Sequence, residues 1–354
     1  MDFAKRLLDW NNLFNHRKMP WKGETDPYKI WLSEIILQQT RVEQGWDYYE
    51  KFISRFPNII SLANAEDEEV MKLWEGLGYY SRCRNLLKTA RDIAFGMGGV
   101  FPDKASELKK LKGIGDYTSA AIASFAFKEP IAVVDGNVQR LLSRIYDIKE
   151  PIDTAKGKNS YQKLANELLC RENPDVYNQA IMDFGATVCL PRNPLCNNCV
   201  FNSHCKAFKL SLQHELPVKS KRIIKKNRWL NYFIVQHNNE ILIRKRKGND
   251  IWKGLYEFVL LETTEKPEME KIKTCLSEMF LTEIQPLPYL FQKKQQLTHQ
   301  TIHGSFMHVI LDKKTSINGY HFEKIDKLKI IPFPGLINSY LTDKPLQKTT
   351  IQEK

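Results

Sequence analysis

Apolar residues recur at helical spacing along the first two-thirds of the chain. From residue 3 to about residue 209, amphipathic segments such as 69–74 and 160–169 are separated by glycine, proline and asparagine. This pattern predicts a mainly α region. It stops around Pro217, in PVKSKRIIKKNR, where six of twelve residues are basic and no helical stripe continues. We therefore predict a helical region over residues 1–213 and a basic linker over residues 214–228.

The last third of the chain has the pattern of β-strands. The segments WLNYFIVQH and EILIRKR are rich in β-branched and aromatic residues and flank an Asn-Asn turn, which is typical of a hairpin. The segment HGSFMHVILD predicts a further strand. We expect an α+β domain over residues 229–342 and a frayed tail over residues 343–354.

Length and charge indicate a two-domain protein that binds a polyanion. The 354 residues exceed the roughly 250–300 at which one core usually stops growing. Lysine and arginine total 53 against 41 acidic residues, and the formal net charge of +12 suits phosphate neutralisation. The start, MDFAKRLLDW, has no apolar signal segment, and no run of about 18 apolar residues follows. We expect a soluble, cytoplasmic protein without a membrane partner.

Four of the seven cysteines are clustered and predict a metal site. Cys189, Cys196, Cys199 and Cys205 fall within seventeen residues, and the other three stand alone. In an intracellular chain such a cluster favours metal binding over a disulfide framework. Four thiolates by themselves are compatible with zinc or with an iron-sulfur cluster.

A Gly-x-Gly turn and a later aspartate form a second candidate site. In LKGIGDYTSAAI, Gly113 and Gly115 with the neighbouring Lys112 precede a helix, and such a turn exposes N–H groups that hold a phosphate oxygen. A plain interhelical turn is the alternative. In IAVVDGNVQRLLSRI, Asp135 and Asn137 open another helix, where an aspartate is also a routine N-cap.

Glu34 is the candidate general acid. In PYKIWLSEIILQQTRV it lies one helical turn from Ile30 and Leu37, so its carboxyl points along an apolar face. An ordinary surface glutamate is the alternative. Burial of this kind raises a carboxyl pKa and suits an acid at neutral pH, whereas Asp135 at a helix N-terminus is expected to stay ionised.

The Gly-x-Gly hairpin followed by an apolar run ending in Asp resembles the helix-hairpin-helix DNA glycosylase superfamily. WLSEIILQQT, GLGYYSRCRNL, GIGDYT and VDGNVQR, in this order, are similar to the MutY family of adenine glycosylases. The resemblance implies that the chain flips adenine out of A:8-oxoguanine or A:G mispairs in duplex DNA and hydrolyses its N-glycosidic bond. It implies Glu34 as acid, Asp135 facing the sugar, and Tyr117 and Asn137 assisting at the flipped nucleotide. It also implies contacts with DNA or the damaged partner base from Leu37, Gln39, Thr40, Tyr79, Lys112, Gly113 and Gly115.

Two other function classes stay open. Endonuclease III, a relative in the superfamily, has a catalytic lysine after its hairpin, and Tyr117 holds that place here. Lys112 precedes the hairpin glycines, so we predict base removal without an efficient lyase step. An endonuclease III-like lyase on oxidised pyrimidines and a non-catalytic lesion-binding protein are the alternatives. The tyrosine argues against the lyase, and the retention of Glu34 and Asp135 argues against the binding protein.

The resemblance also covers the cysteines and the C-terminal third. The spacing x6, x2, x5 of the four cysteines is similar to the 4Fe-4S loop of MutY and endonuclease III. Nearby Arg192 and Lys206 are candidate phosphate contacts or ordinary surface residues. The last third resembles the Nudix-like domain with which that family recognises 8-oxoguanine, but it lacks the Arg-Glu-x-x-Glu-Glu magnesium box.

The resemblance implies a lesion-probing Phe-Ser-His loop in this domain. Leu297-Thr298-His299 is the nearest match and departs from it at two of three positions. Thr298 keeps a hydroxyl, while His299 and His303 are equally compatible with polar residues flanking a strand. In full, we predict a mainly α helix-hairpin-helix glycosylase domain with an iron-sulfur loop over residues 189–205, plus a C-terminal α+β Nudix-like domain. We expect a monomer associated with the nucleoid.

Overall fold

The computed structural model describes residues 2–220, 224–280 and 291–346. These residues form two compact units. The first contains the described residues of Met1–Asn64 and Asn85–Arg222, and the second contains Ala65–Arg84 with the described residues of Ile223–Lys354. No helix in the described ranges is long and apolar enough to cross a lipid bilayer.

The first unit is built from helices, as the sequence predicted. In chain order the helices up to residue 209 are α1 (Phe3–Phe14), α2 (Pro27–Leu37), α3 (Val42–Arg55), α4 (Ile59–Ala63), α5 (Asp67–Leu73), α6 (Tyr80–Gly96), α7 (Ala105–Leu108), α8 (Asp116–Phe127), α9 (Gly136–Tyr146), α10 (Ala155–Leu168), α11 (Pro174–Thr187) and α12 (Lys206–Lys209). Of these, α5 and the first five residues of α6 belong to the second unit. Side chains satisfy the free N–H groups at several helix starts, as Asp26 does for Tyr28 and Thr154 does for Gly157.

Helix α2 is a central, buried helix. Residues on all of its sides are buried, including Trp31, Glu34 and Ile35. It packs against α3 and α8. The approach to α3 is so close that a Cβ on Gly45 would lie 2.9 Å from the Cδ2 atom of Leu37. A carboxyl carried by such a helix is removed from water, which explains the environment of Glu34.

The predicted hairpin connects α7 to α8. Gly113 has φ +82°, and a Cβ there would lie 2.7 Å from the Cβ of Asn85, so both its backbone angle and its surroundings favour glycine. Gly115 is the N-cap of α8. The Thr89 hydroxyl donates a 2.7 Å hydrogen bond to the Lys112 carbonyl, which fixes the turn while the Lys112 side chain stays exposed.

The second unit is built on a six-stranded sheet. Its strands are β1 (Lys226–His237), β2 (Glu240–Lys245), β3 (Tyr256–Thr263), β4 (Phe291–Gln296), β5 (Gln300–Ile310) and β6 (His321–Lys324). Their order is β4-β5-β1-β3-β2-β6, with β1 and β5 parallel and the other neighbours antiparallel. The predicted β1–β2 hairpin forms around Asn238 but pairs only at its tip, because β3 runs between the two strands beyond it. His303 lies within β5, where its ring stacks on Trp229.

Two helices cover the two faces of this sheet. Helix α13 (Met269–Phe280) buries Ile272 and Leu276 against Phe233 and Met307 on one face. Helix α14 (Gly335–Asp343) packs on the other, where Tyr340 stacks on Phe306 with ring centroids 4.6 Å apart. The α+β prediction is thereby confirmed.

Residues 65–84 pack with the sheet domain, which the sequence did not suggest. The Glu68 carboxylate accepts hydrogen bonds from Lys245 at 2.9 Å and from the Tyr256 hydroxyl at 2.8 Å. The Glu75 carboxylate accepts one from the backbone of Phe333 at 2.8 Å. These polar contacts bind α5 and the segment after it to loops and strands of the second unit.

Candidate functional site

Glu34 is a buried carboxyl on α2. Only 6% of the Glu34 surface is exposed to solvent. Burial raises the pKa of Glu34 to about 7, although a hydrogen bond from Tyr117 acts in the opposite direction, and the charge of Asp135 adds to the rise. The sequence predicted this direction. A carboxyl with such a pKa is protonated in a large fraction of molecules at neutral pH and is able to act as an acid.

Asp135 is the N-cap of α9. Its Oδ1 accepts a 2.8 Å hydrogen bond from the Val138 backbone, and its Oδ2 accepts a 2.6 Å bond from the Asn137 amide. Burial raises the pKa of Asp135, while these hydrogen bonds and the charge of Arg140 lower it, and the net direction is upward. From the sequence we expected only the helix N-terminus to act on Asp135, and to keep its carboxyl ionised. The two carboxyls therefore differ in hydrogen bonding more than in the direction of their pKa shifts.

The Tyr117 hydroxyl lies beside both carboxyls. It donates a hydrogen bond to Glu34. Burial, reinforced by the charges of Glu34 and Asp135, holds the pKa of Tyr117 well above its usual range, so the phenol stays protonated. Its hydroxyl also lies 3.7 Å from the Met182 sulfur. Tyr117 is therefore a neutral phenol whose hydroxyl stabilises the ionised form of Glu34.

An open cleft of about 1200 Å³ brings together most of the predicted catalytic and DNA-contacting residues of the first unit. The described residues that line it include seven of them: Glu34, Leu37, Gln39, Gly113, Gly115, Tyr117 and Asp135. Thr40, Lys112 and Asn137 are not among the described lining residues. Gln39 has φ +58°, a left-handed conformation that is uncommon outside glycine and asparagine and that is often found at functional sites.

A smaller cavity of about 190 Å³ also reaches Glu34. Trp21, Lys22 and Gln179 are among the residues that line it. Trp21 is nearly buried, and its ring contacts that of Tyr49 edge to face, with the ring centroids 5.3 Å apart. Sequence reasoning missed these residues because they come from a loop and from α11, far apart in the chain, and no motif announces them.

Asn137 is tied to the start of the cysteine loop. Its Oδ1 accepts a 2.8 Å hydrogen bond from Arg140, which also donates to the carbonyls of Gly185 and Cys189 at 2.7 and 2.8 Å. A Cβ on Gly185 would lie 2.7 Å from the Cβ of Asn137. The close packing of α9 on α11 and this guanidinium thus fix the residues that follow Asp135.

The four clustered cysteines are close enough to influence one another. All are free thiols. Burial raises the pKa of Cys199 to about 12, and the charges of Cys189, Cys205 and Cys196 add to the rise. Within the described residues no three His, Cys, Asp or Glu side chains are arranged to hold a single metal ion.

Polar groups already point at these sulfurs. An Nη1 of Arg144 lies 3.4 Å from the Sγ of Cys189, and the backbone N–H of Phe201 donates to the Sγ of Cys199 at 3.4 Å. Donors of this kind stabilise thiolates. The predicted phosphate contacts Arg192 and Lys206 have exposed side chains.

The second unit has its own cavity, of about 530 Å³. Tyr79, Thr298 and His299 line it, and the Tyr79 and Thr298 hydroxyls hydrogen-bond each other. Tyr79 and Trp252, another lining residue, have φ +48° and +61°. The sequence did not indicate Trp252. Gln39 and Thr40 belong to the first unit, whereas Tyr79 belongs to the second.

Comparison with known proteins identifies the family. Residues 32–167 match the HhH-GPD superfamily of base excision DNA repair proteins, and residues 231–343 match the NUDIX domain. An adenine DNA glycosylase of Buchnera aphidicola subsp. Baizongia pistaciae is 35% identical over 315 residues, which are 88% of this chain and 87% of that protein.

Solved structures support the helical fold. A thermostable thymine-DNA glycosylase is 27% identical with a TM-score of 0.55, covering 59% of this chain and 95% of its own. A non-covalent endonuclease III-DNA complex, 19% identical with a TM-score of 0.50, covers the same shares and shows the fold alone. The predicted fold class and the adenine DNA glycosylase activity are confirmed. The chain belongs to the MutY-type adenine DNA glycosylases, which hydrolyse the N-glycosidic bond of adenine in base-excision repair.

Proposed function

We propose that the chain removes adenine opposite 8-oxoguanine or guanine, with Glu34 as general acid and Asp135 as the carboxylate facing the sugar. The observation that carries this is the pair of buried carboxyls in one cleft, with the pKa of Glu34 at about 7. Adenine is a poor leaving group until a ring nitrogen is protonated. Glu34 supplies that proton, the N-glycosidic bond breaks, and its electron pair leaves with the base.

Asp135 stabilises the positive charge that then develops on the sugar. Its two oxygens are already held by Val138 and Asn137, so the carboxylate needs little reorganisation during the reaction. By analogy with retaining glycosidases, it either balances the oxocarbenium-like charge or captures the sugar covalently before water completes hydrolysis. Tyr117 and Asn137 act by holding these carboxyls. Because Tyr117 has a phenol and no amine, it forms no Schiff base with the sugar, and the enzyme is monofunctional.

The flipped adenine enters the smaller cavity beside Glu34. A space of about 190 Å³ is large enough for one purine. Trp21 offers an aromatic wall, and Gln179 offers an amide for the edge of the base. Leu37 and Gln39 line the adjoining cleft and, with Thr40, contact the DNA around the extruded nucleotide.

The hairpin holds the DNA backbone. Gly113 and Gly115 leave the N–H groups at the start of α8 accessible to a phosphate, and the exposed ammonium of Lys112 adds positive charge. Arg192 and Lys206 extend this basic surface along the cysteine loop. We propose that the protein works in this way as a monomer on nucleoid DNA in the cytoplasm.

Cys189, Cys196, Cys199 and Cys205 fit a 4Fe-4S cluster. Burial raises the pKa of the Cys199 thiol, and the Phe201 N–H offsets part of that rise, while an Arg144 guanidinium nitrogen lies 3.4 Å from the Cys189 sulfur. When bound, the cluster supplies rigid cross-links between the segments that carry its ligands. Through the carbonyl of Cys189, Arg140 then connects the loop to Asn137.

The second unit recognises the partner base. The proposal is supported by the cavity that Tyr79, Thr298 and His299 share. 8-Oxoguanine differs from guanine at its imidazole edge, where an N–H donor replaces the acceptor nitrogen. The hydroxyls of Tyr79 and Thr298 are suited to sense that change, because a hydroxyl both accepts and donates.

One assay tests the proposed chemistry. A labelled A:8-oxoguanine duplex is incubated with the protein, and alkali reveals the abasic sites that are formed. Glu34→Gln is expected to abolish adenine release and to preserve binding, since the amide keeps the shape of the side chain without an acid proton. Glu43→Gln, at an exposed position of α3, is the matched control and retains activity. Near-normal single-turnover cleavage by Glu34→Gln would contradict the assignment.

A further inference from the structure

Asp183 on α11 is a fully buried carboxylate with four side-chain donors. Its side chain is 0% exposed. Oδ1 accepts hydrogen bonds from Arg17 at 2.8 Å and from the Gln179 amide at 3.0 Å. Oδ2 accepts them from Lys22 and Asn15, both at 2.9 Å. A buried carboxylate is tolerated only when its lone pairs and its charge are satisfied in this manner.

Two of these four donors line the smaller cavity. Gln179 and Lys22 are lining residues and reach Asp183 from the side of the cavity that Glu34 shares. The Lys22 ammonium also donates to the carbonyl of Arg17 at 3.1 Å, so its direction is set by two acceptors. Asp183 itself does not line the cavity in the described residues. It is therefore in a position to act on a ligand only through its neighbours.

The bond from Gln179 to Asp183 decides which end of the amide a ligand meets. A carboxylate has only acceptors, so the NH₂ group of Gln179 must face it. The carbonyl oxygen is then the end left for the cavity. A carbonyl oxygen accepts a hydrogen bond from the 6-amino group of adenine. It forms no hydrogen bond with the 6-oxo group of guanine or hypoxanthine, because that oxygen is an acceptor too.

We propose that Asp183 is a positioning residue that fixes the amide orientation of Gln179 and thereby sets the preference of the cavity for a 6-amino purine. This inference rests on the proposed binding of adenine in that cavity. Without the carboxylate, Gln179 is able to turn and present its NH₂ group, which repels an amine and accepts nothing from it. Asp183 makes no contact with the base in this scheme, so its effect is on selectivity.

The test compares three bases opposite 8-oxoguanine: adenine, purine without a 6-substituent, and hypoxanthine. Single-turnover cleavage rates are measured at saturating enzyme, and the rate for adenine is divided by the rate for purine. This adenine-to-purine ratio of each variant is then compared with that of the wild type. Asp183→Asn should lower that ratio about tenfold, the effect of one hydrogen bond of ordinary strength, and should raise cleavage of hypoxanthine relative to adenine. The asparagine side chain in that variant keeps one carbonyl acceptor, so Asp183→Ala, which offers Gln179 none, is measured beside it, and an unchanged ratio in both folded variants overturns the proposal.

A polarity swap keeps the test decisive if Asp183→Asn unfolds. In the double variant Gln179→Glu with Asp183→Asn, the amide introduced at position 183 donates to the new carboxylate at position 179, whose second oxygen again offers an acceptor to the cavity. The ratio should return to within about threefold of the wild type, because the same type of hydrogen bond is restored. A double variant that folds, as judged by its thermal midpoint, and still has the lowered ratio contradicts the proposal.

Two more variants separate this proposal from the proposed base site. Asn15→Ala removes a donor of Asp183 that is not among the residues lining the cavity, and it should leave the ratio unchanged. Gln179→Leu should lower the ratio at least as far as Asp183→Asn does. If Gln179→Leu has no effect, adenine does not bind in this cavity and both proposals fall. If Gln179→Leu lowers the ratio and Asp183→Asn does not, the positioning role alone is wrong.

Discussion

The hydroxyl groups of Tyr79 and Thr298 hydrogen-bond each other although 219 positions separate the two residues in the chain. Tyr79 reaches this contact from a left-handed backbone conformation, with φ +48°. The turn that carries it is fixed by the Trp74 indole, which donates to the Gly78 carbonyl at 3.0 Å, and the guanidinium of Arg82 stacks on the tyrosine ring at 5.4 Å. Non-glycine residues held in such conformations cluster at functional sites, which agrees with the proposed role of Tyr79 in recognition of the partner base.

Thr298→Ala should reduce the preference for A:8-oxoguanine over A:G. One lost polar contact in a semi-enclosed site corresponds to a change of about tenfold in the ratio of rates or affinities. Binding and single-turnover rates are measured on both duplexes at one salt concentration, because phosphate contacts make affinity strongly salt-dependent. Thr274→Ala on the exposed side of α13 is the matched control. If the preference survives Thr298→Ala and His299→Ala together, discrimination belongs to Gln39, Thr40 and Tyr79.

Deletion of the C-terminal domain is a poorer test than these point variants. Residues 65–84 belong to the second unit, and within it a Cβ on Gly254 would lie 3.5 Å from the Met71 methyl group. A truncated chain would lose this contact and the hydrogen bonds that Lys245 and the Phe333 backbone donate to Glu68 and Glu75. A lower preference of the truncated protein for A:8-oxoguanine would then reflect lost folding as well as lost recognition.

The sequence allowed the main features of the fold to be predicted where local patterns carry them. Helical periodicity indicated α2 and the burial of Glu34, and the clustered cysteines indicated a metal loop. The parallel pairing of β1 with β5 and the grouping of residues 65–84 with the sheet were not predicted, because both depend on contacts between distant segments. The hydrogen bond between Gln179 and Asp183 has the i,i+4 spacing of a helix, so the sequence is compatible with it. Its connection to the smaller cavity depends on the loop that carries Lys22, and the sequence does not show that this loop packs there.

Purified protein should contain about four irons and four sulfides per chain and be brown, as a 4Fe-4S cluster requires. The metal content is measured after anaerobic native purification, together with the visible absorption spectrum. Cys199→Ser should lose most of the iron, while Cys275→Ser, at a cysteine far from the cluster in sequence, should keep it. Stoichiometric zinc in place of iron would contradict the cluster assignment.

Borohydride should trap little Schiff base between the wild-type protein and DNA that contains an abasic site. Tyr117 provides a phenol where a lyase needs an amine, and Lys112 precedes the hairpin with its side chain exposed. Tyr117→Lys should increase trapping, because it adds an amine beside Glu34 and Asp135. Strong trapping by the wild type, mapped to Lys112 by mass spectrometry, would show that the enzyme is not monofunctional.

The single-turnover rate of adenine release should fall as the pH rises through about 7, the pKa to which burial raises Glu34. The sign follows from the role of this residue: only the protonated carboxyl donates to adenine, and that form is present below its pKa and lost above it. Saturating enzyme keeps DNA binding from contributing to the profile. Glu34→Gln should give a low rate at every pH, without this alkaline fall.

Tyr117→Phe should move the alkaline fall to higher pH. The hydrogen bond from Tyr117 stabilises the ionised form of Glu34 and so lowers its pKa, and the phenylalanine ring removes that bond while filling the same space. More of the enzyme then carries the acid proton at pH 8, even if the maximal rate drops because the carboxyl is less well oriented. Tyr161→Phe, which removes another buried hydroxyl whose acceptor is the Ile148 carbonyl, is the matched control and should keep the wild-type profile. A fall that moves to lower pH in Tyr117→Phe would mean that the phenol favours the protonated form of Glu34, and the assignment of Tyr117 as a donor to its carboxylate would be wrong.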